Sequence, residues 1–176
     1  ATTRMVHCMV IGHLLGRPGC DDLVDHGMRY LWNNHRDQKH GGYVWSLDDG
    51  GPADASKQAY GHAFVLLAAS GAKVLGHPLA EKMLADVTEV LHTKFWEEKH
   101  GAQAEEFAAD WSRISNYRGQ NSNMHLTEAL MAAFEATERY TVNVLAAEQI
   151  ALAHRFSRPH ADRFAGVDYR LGWADA

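Results

Sequence analysis

The densest run of hydrogen-bonding side chains is Tyr117-Arg118-Gly119-Gln120-Asn121-Ser122-Asn123-Met124-His125-Leu126-Thr127-Glu128-Ala129. It stands just before an apolar pattern of helical period. Asn121, Ser122 or Asn123 is therefore expected to cap a helix, with His125 in or near its first turn. Glu128 follows three residues later, close enough on a helix to hold or polarise the imidazole. A histidine, with an ordinary pKa of about 6.5, moves protons at neutral pH. The field at a helix N-terminus would favour its neutral, basic form. The spacing fits equally a capping segment followed by a buried histidine bonded to Glu128.

Two other places carry groups of interest. In Lys57-Gln58-Ala59-Tyr60-Gly61-His62-Ala63-Phe64, Tyr60 and His62 are two positions apart and point away from each other on a helix, so they do not form one local site. Tyr60 shares a face with Phe64 and Leu67 and reads on periodicity as a core residue whose hydroxyl needs a partner. Arg4 opens an apolar stretch beside His7; it is either a solvated terminal arginine or one that must find a carboxylate, a carbonyl or a polar ligand. The 12 histidines are scattered, without a His-Glu-x-x-His pair or a Cys-x-x-Cys, so no metal site is expected. Gly41-Gly42 and Gly50-Gly51 lack the lysine and spacing of a phosphate loop, and a Gly-x-Ser-x-Gly elbow is absent. No cofactor is expected.

Composition narrows the class. The 176 residues suit one domain with its own core, and a net charge of −5 lacks the basic excess of a nucleic-acid binder. No apolar run approaches the ~20 residues of a membrane span. No secretory leader is recognisable, and the two cysteines, Cys8 and Cys20, suit a reducing cytoplasm.

The elements that must position these groups are mostly helices. An apolar helix ends at Gly16-Arg17-Pro18-Gly19. Asp21 or Asp22 is expected to cap a second, running to about Trp32 with Leu23, Gly27, Tyr30 and Leu31 inward. Tyr43, Trp45 and Leu47 alternate as the inward side of a strand that ends in a turn at Asp49-Gly50. A helix from about Ala55 to Ser70 follows, then one with Pro78 in its first turn and Leu79, Met83, Val87, Val90 and Leu91 as a stripe. A fifth starts near Ser122 with Leu126, Leu130, Ala133 and Phe134 inward. A weaker sixth is expected over Val142 to His154, and the tail from Phe156 is unassigned. The triplet Lys39-His40-Gly41 recurs as Lys99-His100-Gly101, each copy after a helix ending in aromatics. Recurrence at this period suggests an array of antiparallel helix pairs, with two unrelated glycine turns as the alternative.

Four segments, Thr3-Arg4-Met5-Val6-His7, His40-Gly41-Gly42-Tyr43, Asp54 through Phe64, and Asn121 through Ala129, resemble in order and spacing the N-acylglucosamine 2-epimerase superfamily, within it the mannose/sulfoquinovose aldose–ketose isomerases. The resemblance covers about residues 2–137. It implies an all-α fold, an (α/α)6 toroid of antiparallel helix pairs with short β-hairpins, of which only about half the ring is present. Residues 1–176 are then a single domain, a fragment of that barrel. It also implies a free monosaccharide as ligand, with neither metal nor nucleotide in the chemistry. By position, His125 and Arg4 resemble catalytic residues of the family, while Tyr60, Asn121, Met124 and Glu128 resemble substrate-binding ones. The family's later histidine motifs are not found: His154 and His160 lack their surroundings, and Trp173 is followed by Ala174-Asp175-Ala176.

The resemblance implies interconversion of an aldose such as mannose with its ketose through a cis-enediol, with this fragment inactive alone. A 2-epimerase of N-acylglucosamine or cellobiose type shares the intermediate. Arg-Met-x-His and Asn-x-Asn-Met-His lie closer to the isomerase branch. A non-catalytic carbohydrate-binding module is the main rival. A half ring would expose apolar inner faces, so self-association as a homo-oligomer, or cover by a partner, is expected. A glycosidase would need two facing carboxylates, and only Glu128 stands in a distinctive motif.

Overall fold

A computed structural model describes residues 2–137 and the backbone of Trp173–Ala174. The helix expected over Val142 to His154 and most of the tail lie outside the described residues. Five helices, α1 (Thr2–Leu14), α2 (Cys20–Tyr30), α3 (Ala59–Val74), α4 (Ala80–Val90) and α5 (Gln120–Thr137), form the framework of the described residues. α1, α3 and α5 pack side by side, α3 in the middle, while α2 covers α1 and α4 covers α3. α3 is buried along nearly its whole length, as a helix flanked on three sides must be.

The triplet repeat extends to the architecture. α2 and α4 each run into a π-helical turn, Leu31–His35 and Leu91–Phe95, and each turn ends on an extended residue, Arg36 or Trp96. At the other end, α1 and α3 both stop on a left-handed glycine, Gly16 (φ 77°) and Gly76 (φ 73°). The following amides, of Arg17 and His77, bond back to the carbonyls of Gly12 and Ala72.

Short strands lie between each even helix and the next odd one and one more follows α5, all in antiparallel pairs. Strand β1 (Ser46–Asp48) forms a hairpin with β2 (Gly51–Asp54), and β3 (Lys57–Gln58) pairs with β6 (Glu106–Phe107). Likewise β4 (Trp96–Glu97) pairs with β5 (Ala102–Gln103), and β7 (Tyr117–Arg118) with β8 (Trp173–Ala174). These connections gather at the end where α3 and α5 begin.

Several expectations are corrected. α2 opens at Cys20 behind left-handed Gly19, so Asp21 and Asp22 sit in the first turn instead of capping it. Leu23 is 52% exposed, because the buried stripe is Cys20, Val24, Gly27, Met28 and Leu31, one position away. The segment 43–47 does not alternate inward as a strand. Tyr43 and Val44 are both buried and Trp45 is 45% exposed, because the Val44 and Tyr43 amides bond to the His35 carbonyl and the His62 ring. The strand itself begins only at Ser46. α3 begins at Ala59, since residues 57–58 are committed to the β6 ladder. Pro78 precedes α4 instead of entering it. Phe134 is exposed, the α5 stripe being Leu126, Ala129, Leu130 and Ala133.

Candidate functional site

α5 begins at Gln120, so Asn121, Ser122 and Asn123 are helical and none is the cap. Ser122 and Asn123 are buried and turn back into the framework. Asn123 accepts from the Gln103 amide (2.9 Å) and donates to the Gly119 carbonyl (2.9 Å). The acceptor at this helix entrance is Glu105. Its carboxylate takes the Gly119 N–H (2.9 Å) and the Ser122 hydroxyl (2.7 Å). Burial raises the Glu105 carboxyl above its ordinary range, and those two donors oppose the rise.

His125 lies in the second turn of α5, beyond the first turn where the helix dipole acts most. Its Nδ1 stands 3.3 Å from a Glu128 oxygen, the pairing that the i, i+3 spacing predicts. With Nδ1–H donating to that carboxylate, Nε2 is left as the basic nitrogen. The ring meets Tyr60 edge-on at 5.3 Å and 89° and lies tilted against Phe64 at 4.9 Å. Arg4, in the first turn of α1, places its guanidinium over the Phe64 ring at 4.6 Å and donates to the Tyr60 hydroxyl. Thus α1 and α5 each send one polar group to a single aromatic pair on α3, and the Tyr60 hydroxyl has the partner it needs. Arg4 stays exposed on its other side, leaving donors free.

Arg4, Tyr60 and Phe64, with His35, Tyr43 and Trp45 among others, line a cavity of about 520 Å³ between α1, the end of α2 and the start of α3. That volume is within the range of small-ligand sites. His125 contacts the Tyr60–Phe64 pair but is not among the residues that line this cavity. Met124 and Glu128 line a second, more open hollow of about 400 Å³ with Thr127 and Glu135. Asn121 is exposed one turn before His125. The structure therefore brings Arg4, Tyr60, His125 and Glu128 into one chain of contacts. Met124 and Asn121 stand apart from Arg4 and Tyr60.

Behind the cavity wall is a layer of buried polar groups. His62, fully buried, accepts the Tyr43 N–H at Nε2 (3.0 Å) and has Nδ1 against the Gln58 carbonyl (2.8 Å). Burial lowers its pKa to about 4, so it stays neutral and fixes Tyr43. An added Cβ at Gly42 would meet both His62 and Trp111, and Gly42 has φ 69°, so only glycine lets this turn close on them. Trp111 itself holds a positive φ of 69° while its indole N–H bonds the His40 carbonyl (2.8 Å). Fully buried Lys57 pairs with Asp37 at 2.7 Å. Desolvation and this contact act oppositely on Asp37, and hydrogen bonding to Lys57, Lys39 and His40 brings its pKa down to about 2. His35 donates from Nδ1 to the Val44 carbonyl (3.1 Å), and burial lowers its pKa.

Sequence reasoning missed Glu105, His35 and the outward Trp45. Trp45 stands in an aromatic alternation that the backbone breaks after Tyr43, where Val44 is buried as well. His35 closes a helix whose π-helical end has no signature in side-chain type. Glu105 precedes Glu106, and such a pair reads as solvated surface.

Helix pairs side by side, with the polar and aromatic groups at the end where the odd helices begin, define an α/α-toroid protein with part of its ring described and the ring not closed. The family model for N-acylglucosamine 2-epimerase (GlcNAc 2-epimerase) matches residues 1–168. The chain belongs to that family. It is 45% identical over 171 residues to a D-mannose isomerase of Thermobifida fusca, covering 97% of this chain and 40% of that protein. A crystal structure of D-mannose isomerase is similar with a TM-score of 0.79 at 39% identity, over 85% of this chain and 38% of that one. Cellobiose 2-epimerase from Spirochaeta thermophila DSM 6192 shares the fold, with a TM-score of 0.85 at 22% identity, over 99% of this chain and 45% of that one. The chain thus spans less than half the length of these proteins. Among the described residues no helix is long and apolar enough to cross a membrane.

Proposed function

We propose that this chain supplies one wall of the sugar site of an aldose–ketose isomerase acting on mannose or a close relative. The observation that carries the reading is the contact chain Glu128–His125–Tyr60–Arg4, drawn from three helices. In this reading His125 Nε2 removes the proton at C2 of the open-chain aldose, α to the carbonyl, and Glu128 steadies the imidazolium that forms. The cis-enediolate oxygen develops charge that the free face of the Arg4 guanidinium can offset. Return of the proton to C1 gives the ketose; return to the opposite face of C2 gives the epimer. Similarity to proteins named D-mannose isomerase supports the first outcome. Tyr60, Asn121, Met124 and Glu128 are read as substrate contacts. Location in a reducing compartment is part of the reading, since Cys8 and Cys20 are both free. So is a homo-oligomer, since α1 leaves Met5, Ile11 and Leu14 exposed.

The test is fructose formation from mannose by the full polypeptide in D2O, which also reads solvent deuterium into C1 or C2. We expect His125→Asn to lose on the order of 10²-fold or more in kcat/KM while remaining folded. A folded His125→Asn with unchanged turnover would remove His125 from the chemistry. Sugar binding without any deuterium incorporation by the unsubstituted protein would favour a binding module.

A further inference from the structure

Both site-bearing helices converge at their N-terminal ends on Glu105. Its backbone carbonyl accepts the N–H of Ala59 (2.9 Å), the first residue of α3 and the neighbour of Tyr60. The side chain takes the Gly119 N–H, just before α5, and the Ser122 hydroxyl within it. Its own N–H is tied to the Tyr117 carbonyl (3.0 Å), on the strand that leads into α5. A Cβ at Gly119 would collide with the Glu105 carboxylate, so the close approach depends on glycine at that point. Four hydrogen bonds from one residue therefore fix the start of α3 against the start of α5. That offset decides how His125 meets Tyr60 and Phe64, since the two rings come from α3 and the imidazole from α5.

We infer that Glu105 is a positioning residue that sets the register of α5 on α3 and so aims His125 at the Tyr60–Phe64 pair. The Glu105 carboxylate is occupied by Gly119 and Ser122, and its effect reaches the site through the helices. The inference rests on the isomerase reading for its catalytic consequence only; the geometric part stands without it.

Two measurements separate those parts. The first is the NMR position of the His125 ring protons, assigned by their loss in His125→Asn. Packing against two aromatic faces displaces them from the positions of an exposed histidine. Glu105→Ala is expected to move them toward the exposed positions while the protein still melts cooperatively. Glu105→Gln is expected to restore them, because an amide can accept from Gly119 and donate to Ser122 with the hydroxyl reversed. Ser122→Ala should move them in the same direction as Glu105→Ala but less far. Unmoved His125 resonances in folded Glu105→Ala overturn the inference. If that variant does not fold, unmoved resonances in Ser122→Ala overturn it instead. The second measurement is mannose turnover by the full polypeptide, where Glu105→Ala should lower kcat on the order of 10²-fold with KM nearly unchanged, the signature of misplacement. Inactivity of the unsubstituted protein on mannose would sink the isomerase reading and leave the NMR result to decide the role of Glu105.

Discussion

Replacing His62 by glutamine should flatten the acid limb of the stability curve. In the native state His62 is fully buried, its Nε2 is committed as acceptor to the Tyr43 N–H, and burial lowers its pKa to about 4. In the unfolded chain the same imidazole titrates at about 6.5. Below pH 6.5 the unfolded state takes up a proton that the native state refuses, so stability falls as pH falls, from 6.5 to about 4. At pH 7.5 the loss is negligible. At pH 5.0 the two pKa values give a loss of about 2 kcal/mol, and the full span is worth about 3 kcal/mol. Against a domain stability of roughly 5–15 kcal/mol this is a large share. His35, whose pKa burial also lowers, acts in the same direction. Glu105, whose carboxyl is raised, gives stability that grows as pH falls through its folded pKa and so opposes both. These groups are shared by the two proteins, and the difference between their curves isolates His62. The assay is urea unfolding at intervals from pH 7.5 to 4.5 for both. We expect His62→Gln to be less stable at pH 7.5, because the amide cannot match both ring contacts, yet to lose about 2 kcal/mol less on going to pH 5.0. Parallel curves over that interval would refute the claim that His62 is held neutral by burial.

Two further outcomes are expected. Lys57→Met breaks the buried pair with Asp37 (2.7 Å) and should destabilise by about 3 kcal/mol in urea unfolding, at the lower end for buried pairs because Asp37 keeps the Lys39 and His40 amides; a change near zero would contradict the pairing. Arg4→Lys keeps the charge but loses the planar fork over Phe64, and should lower kcat/KM for mannose by roughly tenfold or more with an unchanged melting temperature, Arg4 being exposed; full activity in Arg4→Ala would remove Arg4 from the chemistry.

The helices were legible because their apolar spacing is strong: Met83, Val87 and Leu91 are buried as read, and so are Leu126, Leu130 and Ala133. Helix starts were misplaced because the signals used were side-chain caps, whereas α2 opens on a left-handed glycine and α5 is capped by Glu105, distant in sequence. Trp45 was assigned inward because alternation presumes a strand paired on both edges. Here the Tyr43 and Val44 amides donate to the His62 ring and the His35 carbonyl, and two consecutive residues are buried instead. The pairing of His125 with Glu128 could be read from three-residue spacing alone. That of Arg4 with Tyr60 could not: it depends on how α1 lies against α3, which no local pattern encodes, and only the family resemblance placed both in one site.

The repeat explains why the chemistry sits where it does. With the sixty-residue offset of the Lys-His-Gly triplets, Val6, Leu66 and Leu126 are equivalent, as are Val10, Ser70 and Leu130, and all six are buried. Each unit thus spends the same two positions, one helical turn apart, on packing against its neighbours. Equivalence fails one and two residues earlier along the helices. Arg4, Phe64 and Met124 occupy one repeat position with a cation, an aromatic ring and a thioether; Met5, Val65 and His125 occupy the next. The positions of Val6 and Val10 are buried in every unit because each odd helix packs beside another odd helix. Nearer the N-termini, unlike residues from adjacent units can be set against each other, as Arg4 is over Phe64 and His125 beside it. A site composed of one group per helix requires the units to be held in fixed offset, and the hydrogen bonds of Glu105 to Ala59, Gly119 and Ser122 do that between the second and third.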